Sequence, residues 1–323
     1  MNSTSGMILR AFTAGLIIAL MSAAVCGQDV KQGWTPDLMM QFKRVGATAI
    51  SPDGKLIAYT VSTPLREGEL SEFLSHIWVV RSDGSENRQY TFGERSCTNP
   101  SFSPDGASLA FLSTRGKDRK NQLWVMPVTG GEARQVTFVK SGITRYRWSP
   151  DGRKIGFLMT DPLTDEEEKA KKEKRDWIVV DRALKFDHLY TTVAEPWSGD
   201  SSRVRRLTGG SFHVTAFDWS PDGSVIAFSH QTLPGADPWL DADISTVPSD
   251  SGAVRPLVQR KGYDSDPRFS PDGAWIAFVS DGGDSHWAHT ADVWTVAASG
   301  GAPRKLAATP DRRCGLEGWS ANG

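Results

Sequence analysis

Five copies of the tetrapeptide Ser-Pro-Asp-Gly, beginning at Ser51, Ser103, Ser149, Ser220 and Ser270, divide this chain into units of 46 to 71 residues. A degraded sixth copy, Trp319-Ser320-Ala321-Asn322-Gly323, ends the sequence. Spacings of 52, 46, 71, 50 and 50 residues suit a four-stranded propeller blade. The expected fold is therefore all-β: a β-propeller of four-stranded blades with WD-like repeats, five blades plus the first strand of a sixth.

The flanking residues repeat with the tetrapeptide. Positions six to eight after each serine start read Ile57-Ala58-Tyr59, Leu109-Ala110-Phe111, Ile155-Gly156-Phe157, Ile226-Ala227-Phe228 and Ile276-Ala277-Phe278. Alternation of period two with a small middle residue predicts a strand sandwiched between blades, its small side letting the neighbouring sheet approach. A bulky apolar residue precedes each serine: Ile50, Phe102, Trp148, Trp219, Phe269 and Trp319. It marks an inner strand. In the turn itself, proline presets φ, aspartate bonds nearby backbone and glycine takes a left-handed site. The recurring aspartate is accordingly read as a turn residue, not as a catalytic or calcium-binding carboxylate.

Third strands follow at His76 to Val80, Gln122 to Met126, His188 to Thr192, Asp243 to Val247 and Asp292 to Val296, then short outer strands such as Gln89 to Thr91 and Gln135 to Thr137. The twelve tryptophans, where they fall on strands, read as packing between blades.

Three regions lie outside the repeat. Residues 1–27 form a signal peptide, with Arg10 before the apolar stretch Ala11 to Val25 and cleavage after Gly27; an uncleaved anchor or lipidation at Cys26 are the alternatives. The mature protein is then exported, periplasmic or extracellular. Residues 28–45 hold a short helix from Pro36 to about Lys43, with Thr35 as N-cap. The propeller occupies 46–323, interrupted at about 161–187 by a charged helical insertion. There Thr164 to Arg175 carries a capping box, Thr164 with Glu167, and the i,i+4 pairs Glu167/Lys171 and Glu168/Lys172. Connections between second and third strands are also long at Thr63 to Ser75, Gln231 to Asp241 and Asp281 to Ala291. All share one face of a propeller, the expected contact surface for a partner or substrate.

A net charge of -1 excludes an electrostatic nucleic-acid footprint. Cys97 and Cys314 each lie six residues before a repeat serine, Ser103 and Ser320, so they occupy equivalent places in blades two and six. Such blades are not neighbours, and two free thiols are expected. No cofactor, metal or catalytic residue is assigned. The string Gly283-Asp284-Ser285-His286-Trp287 lacks the closing glycine of a nucleophile elbow, and Ser285 beside His286 and His289 has no placed acid.

These repeats, with Gly-Gly-Glu-Ala-Arg-Gln-Val-Thr at Gly130 to Thr137, Trp177 to Arg182, Leu233 to Asp237 and Phe278 to Gly283, resemble the N-terminal propeller of the prolyl oligopeptidase family, in its bacterial secreted acylaminoacyl peptidase and dipeptidyl aminopeptidase branch. Ser-Pro-Asp-Gly alone is shared with TolB-like propellers. Family members join the propeller to an α/β-hydrolase domain with a Ser-Asp-His triad, which this sequence lacks. The resemblance implies the non-catalytic propeller portion of an exported serine peptidase, truncated before that domain, gating peptides and docking the hydrolase on the loop-rich face. A stand-alone periplasmic TolB-like binding scaffold is the alternative. A metal-dependent propeller hydrolase ranks last, because the inner strands offer no consistent ligand set.

Overall fold

The computed structural model describes residues 33–65, 72–117, 119–175, 177, 184–196, 198–235, 240–283, 291–306 and 315–320. Two compact units divide the chain, Met1–Phe42 and Lys43–Gly323. In the first, α1 (Pro36–Met39) is capped by Thr35, whose Oγ1 accepts the Leu38 N–H at 3.1 Å. The helix is one turn, shorter than the expected run to Lys43. None of its residues is buried, and without an apolar face against a neighbour a short helix does not propagate.

The second unit is a row of five four-stranded antiparallel sheets. Blade one comprises β1 (Arg44–Ile50), β2 (Leu56–Leu65), β3 (Glu72–Arg81) and β4 (Arg88–Gln89). Blade two comprises β5 (Cys97–Phe102), β6 (Ser108–Ser113), β7 (Gln122–Pro127) and β8 (Arg134–Gln135). Blade three comprises β9 (Ile143–Trp148), β10 (Lys154–Thr160), β11 (Asp187–Val193) and β12 (Arg205–Arg206). Blade four comprises β13 (His213–Trp219), β14 (Val225–Gln231), β15 (Asp243–Pro248) and β16 (Arg255–Val258). Blade five comprises β17 (Asp264–Phe269), β18 (Trp275–Ser280), β19 (Asp292–Ala297) and β20 (Arg304–Lys305). In blade one the long connection is partly strand: Thr63, Pro64 and Leu65 pair with Leu74, Phe73 and Glu72.

The turns explain the repeat. In all five, the serine hydroxyl donates to the aspartate Oδ1 at 2.5–2.6 Å. The same hydroxyl oxygen accepts the first N–H of the second strand at 2.8–2.9 Å. The aspartate Oδ1 also takes the N–H two residues on, at 3.0–3.1 Å. The glycines stand at φ of 69 to 73°, where a side chain would be strained. A Cβ added to Gly106, Gly152, Gly223 or Gly273 would lie 3.4–3.8 Å from the proline of the preceding turn, so consecutive turns touch.

The small middle residue does what its size predicts. Ala58 of blade one packs on Phe102, Leu109 and Phe111 of blade two, and Ala110 on Ile155 and Phe157 of blade three. Gly156 is tightest: a Cβ there would meet Phe217 at 2.9 Å and the Trp219 indole at 3.2 Å. Phe111, Phe157, Phe228 and Phe278 are fully buried in this way, each worth about 1.5–3 kcal/mol. Among the described residues, the first blade departs from the pattern. Ile50 is 67% exposed, whereas Phe102 and Trp219 at the same repeat position are 7% and 5% exposed.

A second cross-tie recurs between third and fourth strands. Thr91, Thr137 and Thr208 each accept, at 2.9 Å, the N–H of Ile77, Leu123 and Leu189. Two of the hydroxyls also meet a side chain of the third strand; Thr137 donates to Gln122 Oε1 at 2.9 Å, and Thr208 lies 3.2 Å from His188 Nδ1.

The degraded sixth copy takes its repeat position without becoming a strand. Trp148 donates its indole N–H to the Ser101 carbonyl of blade two, at 3.3 Å. Trp319 donates to the equivalent Arg268 carbonyl of blade five, at 3.0 Å. Residues 315–320 are nonetheless not in a strand.

In the insertion, α2 (Asp165–Lys172) has both capping-box bonds and no buried residue. The expected Glu167/Lys171 pair is absent. Glu167 Oε2 instead accepts the Thr164 N–H and the Lys185 ammonium, both at 2.6 Å, which pins the helix to the strand that follows it.

Candidate functional site in the inner strands

The five turn carboxylates are consumed by their own turns. Each of Asp53, Asp105, Asp151, Asp222 and Asp272 is held below the usual carboxylate range, first by its serine hydroxyl and then by backbone N–H groups; Asp222 falls to about 2. Such a group is a poor proton acceptor, so none is a general base. Cys97 is fully buried and free, and its sulfur accepts from Arg115 Nη2 at 2.8 Å. Cys314, Cys26 and the loop bearing Ser285, His286 and His289 lie outside the described residues. No group of three or more His, Cys, Asp or Glu side chains able to hold a metal occurs among the described residues.

Chemistry converges instead where β5, β9, β13 and β17 face one another. A cavity of about 550 Å³ is lined by Arg145 and Arg147 of β9, Arg268 of β17, Asn99 and Ser101 of β5, and Phe217 of β13. The local backbone supports this. The inner strands of blades two and five are bulged between Thr98 and Ser101 and between Ser265 and Arg268. At each bulge an Asn or Asp precedes proline in the left-handed region, Asn99 at φ 52° and Asp266 at φ 51°. These are the residue types that tolerate that conformation, and a bulge re-aims side chains. Tyr146 fastens the wall, donating its hydroxyl to the Asn99 carbonyl at 2.5 Å. Burial raises its phenol well above the usual value, so it stays a donor.

Arg147 Nη1 stands 3.5 Å from Asp218 Oδ1. Asp218 Oδ2 in turn accepts the Phe269 N–H at 3.0 Å, linking blades four and five. Burial pushes the Asp218 carboxyl up, opposed first by Arg147. Burial and then the like charge of Arg268 lower the Arg147 guanidinium, while Asp218 and Asp266 act the other way. Three guanidinium groups thus share one cavity. That charge disfavours a metal cation there.

The opposite device lies on the face that carries the second-to-third connections. Phe92 and Trp177 are 67% and 79% exposed, and Phe73, Leu163 and Leu233 are also exposed there.

Relatives of known kind agree with this architecture. The family model described as TolB beta propeller domain, PD40, matches residues 22–175. The putative TolB of Agrobacterium tumefaciens superposes with a TM-score of 0.52 at 22% identity, covering 81% of this chain and 80% of that one. The chain carries a TolB-like β-propeller. Dipeptidyl-peptidase 5 of Porphyromonas gingivalis is 29% identical to it over 304 residues, 86% of this chain and 44% of that protein. The Pyrococcus horikoshii acylaminoacyl peptidase superposes with a TM-score of 0.59 at 18% identity, covering 84% of this propeller chain and 41% of that one. The propeller is similar to those of these two peptidases, and the chain spans less than half the length of either.

No signal in any single strand pointed to the arginine cavity. Arg145 and Arg147 lie in Arg-Tyr-Arg-Trp and Arg268 in Pro-Arg-Phe, about 120 residues away. The available clue was positional: Arg147, Asp218 and Arg268 all stand two residues before a repeat serine.

Proposed function

We propose that this propeller is the substrate-admitting portion of an exported serine peptidase, carrying no nucleophile of its own. Peptides reach the inner strands, and an α/β-hydrolase domain docks on the face that bears Phe92 and Trp177. Export follows from the apolar leader at residues 1–27. The observation that carries this reading is a contrast within the blades: a frame repeated five times surrounds inner strands that differ from blade to blade, and those of blades two, three and five bear polar groups toward a shared cavity. The peptidase relatives supply the reaction class.

Two measurements test it. The purified chain, treated with a fluorophosphonate, is expected to show no labelled serine. Grafted in place of the matched region of the Porphyromonas peptidase, it is expected to support cleavage of short peptides and to spare folded proteins. A labelled serine on the chain alone contradicts the non-catalytic assignment. A folded but inactive chimera, with peptide binding by the chain alone, points to the stand-alone binding scaffold instead.

A further inference from the structure

The cavity between the inner strands has walls of one sign. Arg145, Arg147 and Arg268 line it, and no acidic side chain does. Asp218 stands beside Arg147 and bonds the blade-five backbone. Asp266 is near enough to act on Arg147 electrostatically. Two carboxylates therefore face three guanidiniums.

The arginines are also short of partners. The Arg145 side chain is exposed and makes no hydrogen bond or ion pair with the described residues. Arg268 reaches only the carbonyl of its neighbour Pro267, at 2.9 Å, and its buried Nε is unpartnered. A buried donor without an acceptor is costly, and like charges converging in a half-enclosed space repel. One further anion relieves both. A guanidinium presents several donors in a fixed fork, which fits a carboxylate in two-pronged fashion. The volume, about 550 Å³, lies within the range that holds a small ligand.

We propose that this cavity binds a carboxylate group of a peptide, held between Arg145, Arg147 and Arg268. Its peptide source rests on the function proposed above; anion binding itself does not. The carboxylate comes either from the peptide C-terminus or from an acidic side chain, and the probes separate them.

Three N-acetylated peptides titrated against the whole chain by calorimetry decide the matter: Ala-Ala-Ala with a free C-terminus, the same peptide as its amide, and Ala-Glu-Ala-amide. At least one carboxylate peptide is expected to bind about tenfold or more tightly than the neutral amide. That advantage should shrink in high salt. Arg145→Gln is expected to remove most of it without altering the melt, since Arg145 has no partner to lose. Arg268→Gln serves as the second variant. Equal binding of all three peptides, or full retention of the advantage in both folded variants, overturns the carboxylate site while leaving peptide admission intact. Acetate competing as well as the peptides removes the peptide source and leaves an anion site, which weakens the proposed function.

Discussion

The turns and the inner strands of the same blades follow opposite rules. All five turns use one hydrogen-bond pattern, with each serine and aspartate committed locally. Two residues earlier, the inner strands carry Ala49, Ser101, Arg147, Asp218 and Arg268. A residue whose job is to close a turn or let a sheet approach meets the same surroundings in every blade, so the same answer recurs. Of these, Ser101, Arg147 and Arg268 line the shared cavity, where each meets different neighbours and repetition would set like side chains against one another. Regularity therefore marks the scaffold, and departure from it marks where recognition is to be sought.

The sharpest way to break this comparison is to treat equivalent positions as equal. Trp219→Ala should cost about 3–5 kcal/mol in denaturant unfolding, because its indole fills the space over Gly156. Ile50→Ala at the same repeat position should stay within about 0.5 kcal/mol on this chain, because Ile50 is exposed. Similar losses at both would mean that a blade covers Ile50 after all.

Overpacking comes next. Gly156→Val should lose about 1–3 kcal/mol, since a Cβ already falls 2.9 Å from Phe217. A neutral result in a thermal melt would show that blades three and four are not closely apposed.

Acid stability should be smaller again. The folded Asp222 carboxyl, at about 2, lies below its ordinary 3.8, so its contribution is full above the ordinary value and is lost as pH falls toward 2. Asp222→Asn should therefore flatten the decline in melting temperature over that window. The exposed carboxylate is screened, which keeps the effect below about 1 kcal/mol. An unchanged pH slope would deny the turn its ionic part. Smallest of all, Arg145→Gln should leave the melt within about 0.5 kcal/mol of the parent while reducing carboxylate binding.

Most of the frame was legible because its cause is local. Serine, proline, aspartate and glycine specify a turn by their own dihedral and hydrogen-bonding habits, and Ile-Ala-Phe specifies a strand between two sheets by size alone. The Thr137–Gln122 tie was not legible, because it depends on the register of a fourth strand only two residues long. The Glu167–Lys185 bridge was missed for a related reason: the i,i+4 rule considers only the helix, whereas the capping box had already turned Glu167 back toward its first turn. For the cavity, blade order brings together side chains that no spacing in the sequence relates. The separation of Arg147 and Arg268 by two intervening turns concealed their shared cavity.

The most direct test of the central claim is hydrogen exchange on the whole chain with and without whichever of N-acetyl-Ala-Ala-Ala and N-acetyl-Ala-Glu-Ala-amide binds more tightly. The account predicts slowed exchange confined to the inner strands, around Asn99, Arg145 to Arg147, Ala216 to Asp218 and Asp266 to Arg268, with the Ser-Pro-Asp-Gly turns unchanged. Protection at the turns or on the face around Phe92, with the inner strands unaffected, would contradict it.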